Sequence, residues 1–491
     1  MIPMTLEEVA AACEGSPSDC EPGAAVRGVC TDSRAVRPGH LFVGLRGERF
    51  DGDEFAVHAL DRGAVAAVVR AETAVELRGR PTIAVRDGTV ALGLLARAVR
   101  RRSRARVVAI TGSTGKTTTK DILAALVRPL CEAVATSANL NNEIGLPLTL
   151  LEITPRTQVV IVELAMRGPG QIRELARLAL PDIAVITAVA PVHLEFVGTL
   201  EGVAAAKAEL IEELEGGTAI VPAAASLLAP HVRRHAGRVV TFGTLESDVH
   251  FVATETREGG THVLADAFTH RAALDFNFSG DHYLHDAQAA LAAFVELGFR
   301  LDEARRGAGE VVFSAMRGET LELDDGGLLL NDAYNANPLA TQAALDHLVR
   351  LAGGREAVAV LGDMAELGPG APAYHGAVGE HAVRLGVRVV AVGDLARHYL
   401  TGSPGERWFP TVEECLERLP EVVGPGRAVL VKGSRAMRLE RVAEAIGDAA
   451  THRAAGGASP AENGEPGGVD GDAGASGDGA LSGRDEEDED A

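Results

Sequence analysis

At 491 residues the chain is long enough for roughly three domains. Its 46% hydrophobic content supports sizeable cores, and with only 4% aromatics those cores must be built mainly from Ala, Val and Leu. The formal net charge of -22 argues against general nucleic-acid binding, although eleven acids and one arginine fall within 461–491 and the remainder carries about -12.

Residues 1–104 read as a small α/β domain. Apolar runs at Leu41–Leu45, Ala66–Val69 and Thr82–Val85 predict strands, with helical spacing near 5–13, 53–62 and 88–100. The run Arg100-Arg-Arg-Ser-Arg104 reads as an exposed, solvated helix end leading into the next domain. Residues 105–315 alternate strands (106–111, 158–163, 182–189) with helices (116–128, 170–180, 200–214), the rhythm of a parallel, doubly wound sheet. From 238 to 279 short alternating strands predict an antiparallel extension, followed by a helix over 282–297. Residues 316–450 repeat the α/β rhythm, with buried parallel strands expected at 328–330, 357–361, 387–392 and 428–431. Residues 451–491 hold almost no large apolar side chain; such a segment cannot offset its ordering entropy and is expected to be disordered. The predicted fold is α/β in three domains, with a central P-loop parallel-sheet ATPase-like domain and a C-terminal Rossmann-like one.

Five dispersed cysteines (Cys13, Cys20, Cys30, Cys131, Cys415) without a CxxC pair point to reduced thiols and a cytoplasmic protein. The N-terminus lacks the basic and apolar regions of a secretory signal. No apolar run approaches the ~18 residues of a membrane span, so no membrane insertion is expected.

The chemistry centres on Arg106-Val-Val-Ala-Ile-Thr-Gly-Ser-Thr-Gly-Lys-Thr-Thr-Thr-Lys120. A β-branched strand, a glycine-rich turn and a helix follow one another, which is the order of a phosphate cradle. Lys116 is placed to neutralise the β- and γ-phosphates of a nucleoside triphosphate, and the Thr117 hydroxyl to hold Mg2+. The loop is shorter than the general P-loop, with Ile110 where the first glycine would stand.

In open parallel sheets, ligands bind beyond the carboxyl ends of the strands. Glu163 ends one predicted strand, His193 and Glu195 follow another, and Asn331-Asp332 ends a third. With the phosphate loop on the same edge, Glu163 and His193 read as ligands for metal bridging the phosphates. Lys207 lies on the apolar stripe of Leu200–Leu214, together with Val203, Leu210, Ile211 and Leu214. Two readings stand side by side. One is a lysine snorkelling past the core edge. The other is a desolvated amine, depressed towards neutrality and able to take up CO2 as a carbamate. Asn139, Asn141 and Asn142 suit either an N-cap with turns or the binding of polar groups.

These motifs together resemble the Mur ligases of peptidoglycan synthesis over residues 1 to about 447. The carriers are Thr31-Asp-Ser-Arg34, the 111–120 loop, Asn139–Pro147, Glu163–Gly170 and Ala190–His193 with Lys207. In the last domain they are Asp332-Ala-Tyr-Asn-Ala-Asn-Pro338, Leu361-Gly-Asp-Met-Ala-Glu-Leu-Gly368 and Val431-Lys-Gly-Ser434. The first two of these C-terminal motifs are most similar to the last ligase of the series. The resemblance implies an ATP-dependent ligase that joins D-alanyl-D-alanine to UDP-N-acetylmuramoyl-tripeptide through an acyl phosphate. It implies ATP on Gly112, Ser113, Thr114, Gly115, Lys116, Thr117 and Thr118. It also implies Mg2+ on Thr117, Glu163 and His193, and a carbamylated Lys207. Arg317 and Asp332 match positions for phosphate and ribose, and Ser33 and Arg34 match the uridine-nucleotide domain. Tyr334, Asn335, Asn337 and the 361–368 loop fall on the dipeptide side, and a monomer is expected. One departure concerns adenine. Tyr283 and Asp286, in His282-Tyr-Leu-His-Asp-Ala287, replace two asparagines usual there. Asp286 can accept from the adenine N6 amine but cannot donate to N7.

Overall fold

The computed structural model describes residues 1–47 and 50–456. Its three large sheets occupy successive stretches of the chain. The first has five strands in the order 16–18, 82–85, 66–70, 40–43, 28–30; all pair in parallel except the edge strand Ser16–Ser18. A two-stranded antiparallel ribbon, Met4–Thr5 with Ala25–Val26, stands apart from it.

The central sheet has nine strands, in the order 270–276, 260–267, 249–257, 238–242, 218–222, 183–186, 106–111, 159–163, 133–135. Strand Arg106–Thr111 lies between Val159–Glu163 and Ile183–Ile186, parallel to both. After this strand the chain builds first one side of the sheet and then crosses to the other. Loops leaving neighbouring strands therefore diverge at this point and open a crevice at their carboxyl ends. Val107, Val108, Ala109 and Ile110 are fully buried, as strands covered by helices on both faces require. Helix Asp281–Glu296 lies against the phosphate-loop helix Lys116–Val127. Fully buried Ala287, Ala289, Ala290, Ala292 and Ala293 keep its packed faces small.

The last sheet has six strands, in the order 319–322, 328–331, 428–432, 357–362, 388–392, 407–409, parallel except for the hairpin edge strand Glu319–Glu322.

The packed chain departs from several of these expectations. Arg100 is buried rather than solvated. Its guanidinium donates to the carbonyls of Ala179, Ala105 and Leu180 and pairs with Asp182 at 3.0 Å, closing the end of helix Gln171–Ala179. Strand Arg238–Phe242 is parallel to Thr218–Pro222, so the antiparallel extension begins only at Val249. The strand expected over 182–189 ends at Ile186. The final helix, Glu440–Gly456, runs past 450, and the rest of the expected acidic tail lies outside the described residues.

Helix Gly88–Arg102 joins the first two sheets. It packs on Gly145–Leu150 and Gln171–Ala179, and one continuous apolar cluster runs from Leu41 and Val68 through Leu92 and Leu95 to Val107 and Leu175. The last sheet keeps two apolar clusters of its own, whose buried residues run from Leu328 onward, with Leu323 packed against one of them. It meets the central sheet through polar and aromatic contacts. Arg350 pairs with Asp281 at 2.6 Å, and the His347 ring lies edge-on to His282, centroids 5.6 Å apart.

Candidate active site

The phosphate loop leaves its strand at Thr111 and enters its helix at Gly115, whose φ of 78° is left-handed. A Cβ on Gly115 would strike the Asp286 carboxylate, and one on Gly112 would strike the Thr187 hydroxyl. Glycine is therefore required at both positions by close approach. The Ser113 amide donates to the Ala188 carbonyl, and its hydroxyl bridges the Ala190 carbonyl (3.0 Å) and amide (2.9 Å). Ser113 thus ties the loop to the segment beyond the neighbouring strand.

Lys116 folds back so that Nζ donates to the Gly112 carbonyl at 2.8 Å. Burial lowers its pKa, Arg317 adds to the lowering, and Glu163 and Asp286 oppose it. Thr117 Oγ1 donates to Glu163 Oε2 at 2.7 Å, and Asn141 Nδ2 donates to Glu163 Oε1 at 2.8 Å. Glu163 is only 1% exposed, and its amide is held by the Thr136 hydroxyl. A hydroxyl and a carboxylate side by side at the loop form a hard oxygen-donor set. Mg2+ suits it, because this ion takes one or two carboxylates and completes its shell with phosphate and water.

His193 sits at φ 54°, and its Nδ1 lies 2.5 Å from Glu366 Oε2. Burial lowers the pKa of the ring and Glu366 opposes that, while Lys207 and Lys116 push further down. Lys207 is 2% exposed and, among the described residues, has no hydrogen-bond or ion-pair partner. Burial, with Lys116 nearby, drives its pKa well below the ordinary value. Asp286 shows the same effect with opposite sign: burial pushes its carboxyl up to about 8, against Lys116, Arg317 and a hydrogen bond with Thr118.

The opposite wall comes from the last sheet. Asp332 pairs with Lys432 Nζ at 2.5 Å, and the same ammonium donates to the Asn335 carbonyl at 2.9 Å. The Arg317 guanidinium stacks on Tyr334, 3.9 Å from the ring centroid. Asn337 caps helix Pro338–Ala352 by accepting from the Ala340 amide at 3.0 Å.

One cavity of about 1430 Å3 gathers these groups. Its lining includes Gly112 to Thr118, all three asparagines of 139–142, Glu163, His193, Lys207 and Asp286, together with Arg317, Asp332, Tyr334, Asn335 and Asn337. Ser33 and Arg34 are not in its wall. Ser33 Oγ bonds His58 Nδ1 at 2.9 Å, and Arg34 forks onto Asp32 on the first sheet's turn. The three asparagines divide their work. Asn141 holds Glu163, Asn142 accepts from the Gly145 amide at 2.9 Å to start the short helix Gly145–Leu150, and Asn139 is exposed.

Three family models match successive stretches: "Mur ligase family, catalytic domain" over 25–100, "Mur ligase middle domain" over 110–294 and "Mur ligase, glutamate ligase domain" over 316–435. The UDP-N-acetylmuramoyl-tripeptide--D-alanyl-D-alanine ligase of Escherichia coli strain K12 is 36% identical over 425 residues, covering 85% of this chain and 93% of that protein. The chain belongs to the Mur ligase family. Its fold agrees with that of solved Mur ligases. A crystal structure of MurF from Acinetobacter baumannii superposes with a TM-score of 0.82 at 28% identity, covering 91% of this chain and 99% of that one. MurF from Thermotoga maritima, solved in complex with ADP, gives 0.77 at 31% identity, covering 87% and 99%.

Several wall residues of this Mur ligase carried no role in the sequence reading. Lys432 lies in Val431-Lys-Gly-Ser434, and Glu366 has no role of its own within the 361–368 loop expected on the dipeptide side; of that loop's described residues Ala365 and Glu366 line the cavity. Thr89 and Val90 bring the start of helix Gly88–Arg102 to the rim, and no pattern in that helix marks it as more than core.

Proposed function

We propose that this Mur ligase joins D-alanyl-D-alanine to UDP-N-acetylmuramoyl-tripeptide at the expense of ATP, in peptidoglycan precursor synthesis. The observation that carries the reading is the shared cavity: the phosphate loop of one sheet and the Asp332–Asn337 edge of another wall the same space. The identity with the Escherichia coli ligase over 85% of the chain supports the choice of substrates. Uridine-nucleotide binding is assigned to 1–104, ATP to 105–315 and the amine substrate to 316–450.

A carboxylate resists amine attack because its leaving group would be oxide. Transfer of the γ-phosphoryl group of ATP to the tripeptide carboxylate replaces oxide with phosphate. The resulting acyl phosphate then loses phosphate to the incoming amine. The protein's work is positioning and charge neutralisation. Loop amides of 112–118 cradle the phosphates, and Lys116 leaves the Gly112 carbonyl to meet their charge. Thr117, Glu163 and His193 are the residues that would hold Mg2+, and bound Mg2+ supplies Lewis-acid neutralisation of the phosphate oxygens. Lys207, as a carbamate, would supply an anion where the amine has no partner among the described residues. Arg317 and Asp332 serve phosphate and ribose, and Tyr334 and Asn335 line the amine side.

Among the described residues no helix is long and apolar enough to cross a membrane. Cytoplasmic location follows from the proposed substrates, ATP and a UDP-linked peptide. A monomer suffices, since one chain supplies both walls of the cavity. The test is release of ADP and phosphate from ATP. It is expected only when UDP-tripeptide and D-alanyl-D-alanine are both present; equal release with neither substrate would refute the ligase reading.

A further inference from the structure

Among the described residues, the last sheet and the central sheet share no apolar cluster. Units joined through polar and aromatic contacts rather than a shared core are expected to move relative to one another. Yet one contact between them is built with care. Glu366 projects from the 361–368 loop of the last sheet and meets Nδ1 of His193, which follows a central-sheet strand. Both residues hold left-handed backbone, φ 54° for His193 and 62° for Glu366. Non-glycine residues keep that conformation only where their surroundings enforce it. The two loops also bond directly: the Glu195 amide donates to the Glu366 carbonyl at 3.3 Å. Gly368, at φ 64°, has Glu195 Cα 3.6 Å from where its Cβ would stand. The second Glu366 oxygen lies 3.6 Å from Arg167 Nε, which leaves Oε2 to the imidazole.

A carboxylate only accepts hydrogen bonds, so the proton of a neutral His193 resides on Nδ1 and the lone pair on Nε2. That is the arrangement in which ligating histidines are held by carboxylates behind them. We propose that Glu366 is a positioning residue for His193, reaching across from the amine-side domain so that the imidazole is oriented as a donor when the two domains are docked. This rests on the reading of His193 as a Mg2+ ligand. It gives the Leu361–Gly368 motif a task beyond facing the amine substrate: it couples arrival of the amine-side domain to completion of the metal site on the ATP side.

The test titrates Mn2+, as a probe for Mg2+, into the full-length chain with a non-hydrolysable methylene analogue of ATP, followed by electron paramagnetic resonance. Glu366→Ala is expected to weaken Mn2+ binding roughly ten- to a hundredfold. Glu366→Gln keeps an acceptor oxygen for Nδ1 and is expected to retain most of the affinity. In a His193→Ala background, Glu366→Ala is expected to add nothing, because its effect passes through the ring. A merely structural ion pair would lower the thermal midpoint and leave Mn2+ affinity within twofold of wild type, and that result would overturn the proposal. So would an equal loss in the two backgrounds. Should Glu366→Ala not fold, Glu366→Gln carries the comparison with the same criterion: affinity lost entirely despite the retained acceptor, in a chain of native thermal midpoint, also overturns it. The titration involves no turnover, so its outcome is separate from that of the phosphate-release assay.

Discussion

Glu163 and Lys207 face the same cavity and are almost equally hidden, at 1% and 2% exposure, yet they are held in opposite ways. Glu163 sits at a strand end where two elements converge on it. The phosphate-loop helix sends the Thr117 hydroxyl and the 139–142 turn sends the Asn141 amide. Lys207 sits in the middle of helix Leu200–Glu212, among Val203, Leu210 and Ile211, with no partner among the described residues. An ion with donors aimed at it is ready for use. An amine without an anion must become neutral or acquire a ligand. The contrast teaches that burial alone does not fix how an ion is held: one wall of the cavity supplies aimed donors, and the other, among the described residues, supplies none.

The largest expected effect tests the unfinished side. Lys207→Met is expected to cut the ligation rate on the order of 10²–10³-fold. Its thermal midpoint should hold or rise, because an unpaired buried amine is replaced by an apolar chain of similar length. Lys207→Ala is expected to regain part of its rate with an added short-chain carboxylic acid. An unchanged rate in either variant breaks the comparison and leaves Lys207 as a lysine at the core edge.

The finished side should behave conversely. Glu163→Ala strands the Thr117 hydroxyl and the Asn141 amide and is expected to cost about 1–3 kcal/mol of stability in urea unfolding, besides activity. A stability equal to wild type would show that these donors find other partners, and that Glu163 is no better supported than Lys207.

The smallest effect concerns Asp286, a third solution to the same problem. Its carboxyl is pushed up to about 8 by burial, from an ordinary 3.8. Between those values the folded protein binds a proton that the unfolded chain does not. Stability from this group is therefore present in full at the acid end and is lost as pH rises towards 8. Asp286→Asn removes the titration and is expected to raise the thermal midpoint at pH 9 relative to wild type by about 2–4 °C. The gap should be smaller at pH 5. Parallel midpoints at both pH values would place the Asp286 charge in a better-solvated setting than its burial indicates.

The strand–loop–helix around Lys116 was legible because local chemistry dictates it. β-branched residues precede a turn that only glycine can make, and a helix-forming run follows. Glu163 and His193 were legible for a related reason, since strand ends of a parallel sheet share one edge. Arg100 was misread because a run of arginines looks solvated until the carbonyls of Ala179 and Leu180, about 80 residues away, are brought to it. Strand Arg238–Phe242 was misread because direction relative to its neighbours is not a property of its own alternation. Lys432 and Glu366 lie inside the C-terminal motifs, but the partners that define them, Asp332 and His193, are distant in the chain.

Sequence alone determined where the glycine-rich loop joins its strand to its helix, which strand ends carry the acid and the imidazole, and which family the chain resembles. All of these depend on spacing within a few residues. Tertiary structure decided which buried ions are partnered and which stand alone, because partners arrive from other elements. It also decided that the first two sheets share one apolar cluster while the last is joined through Arg350–Asp281 and Glu366–His193. Apolar pattern says that a face will be buried; only the packed chain says against what.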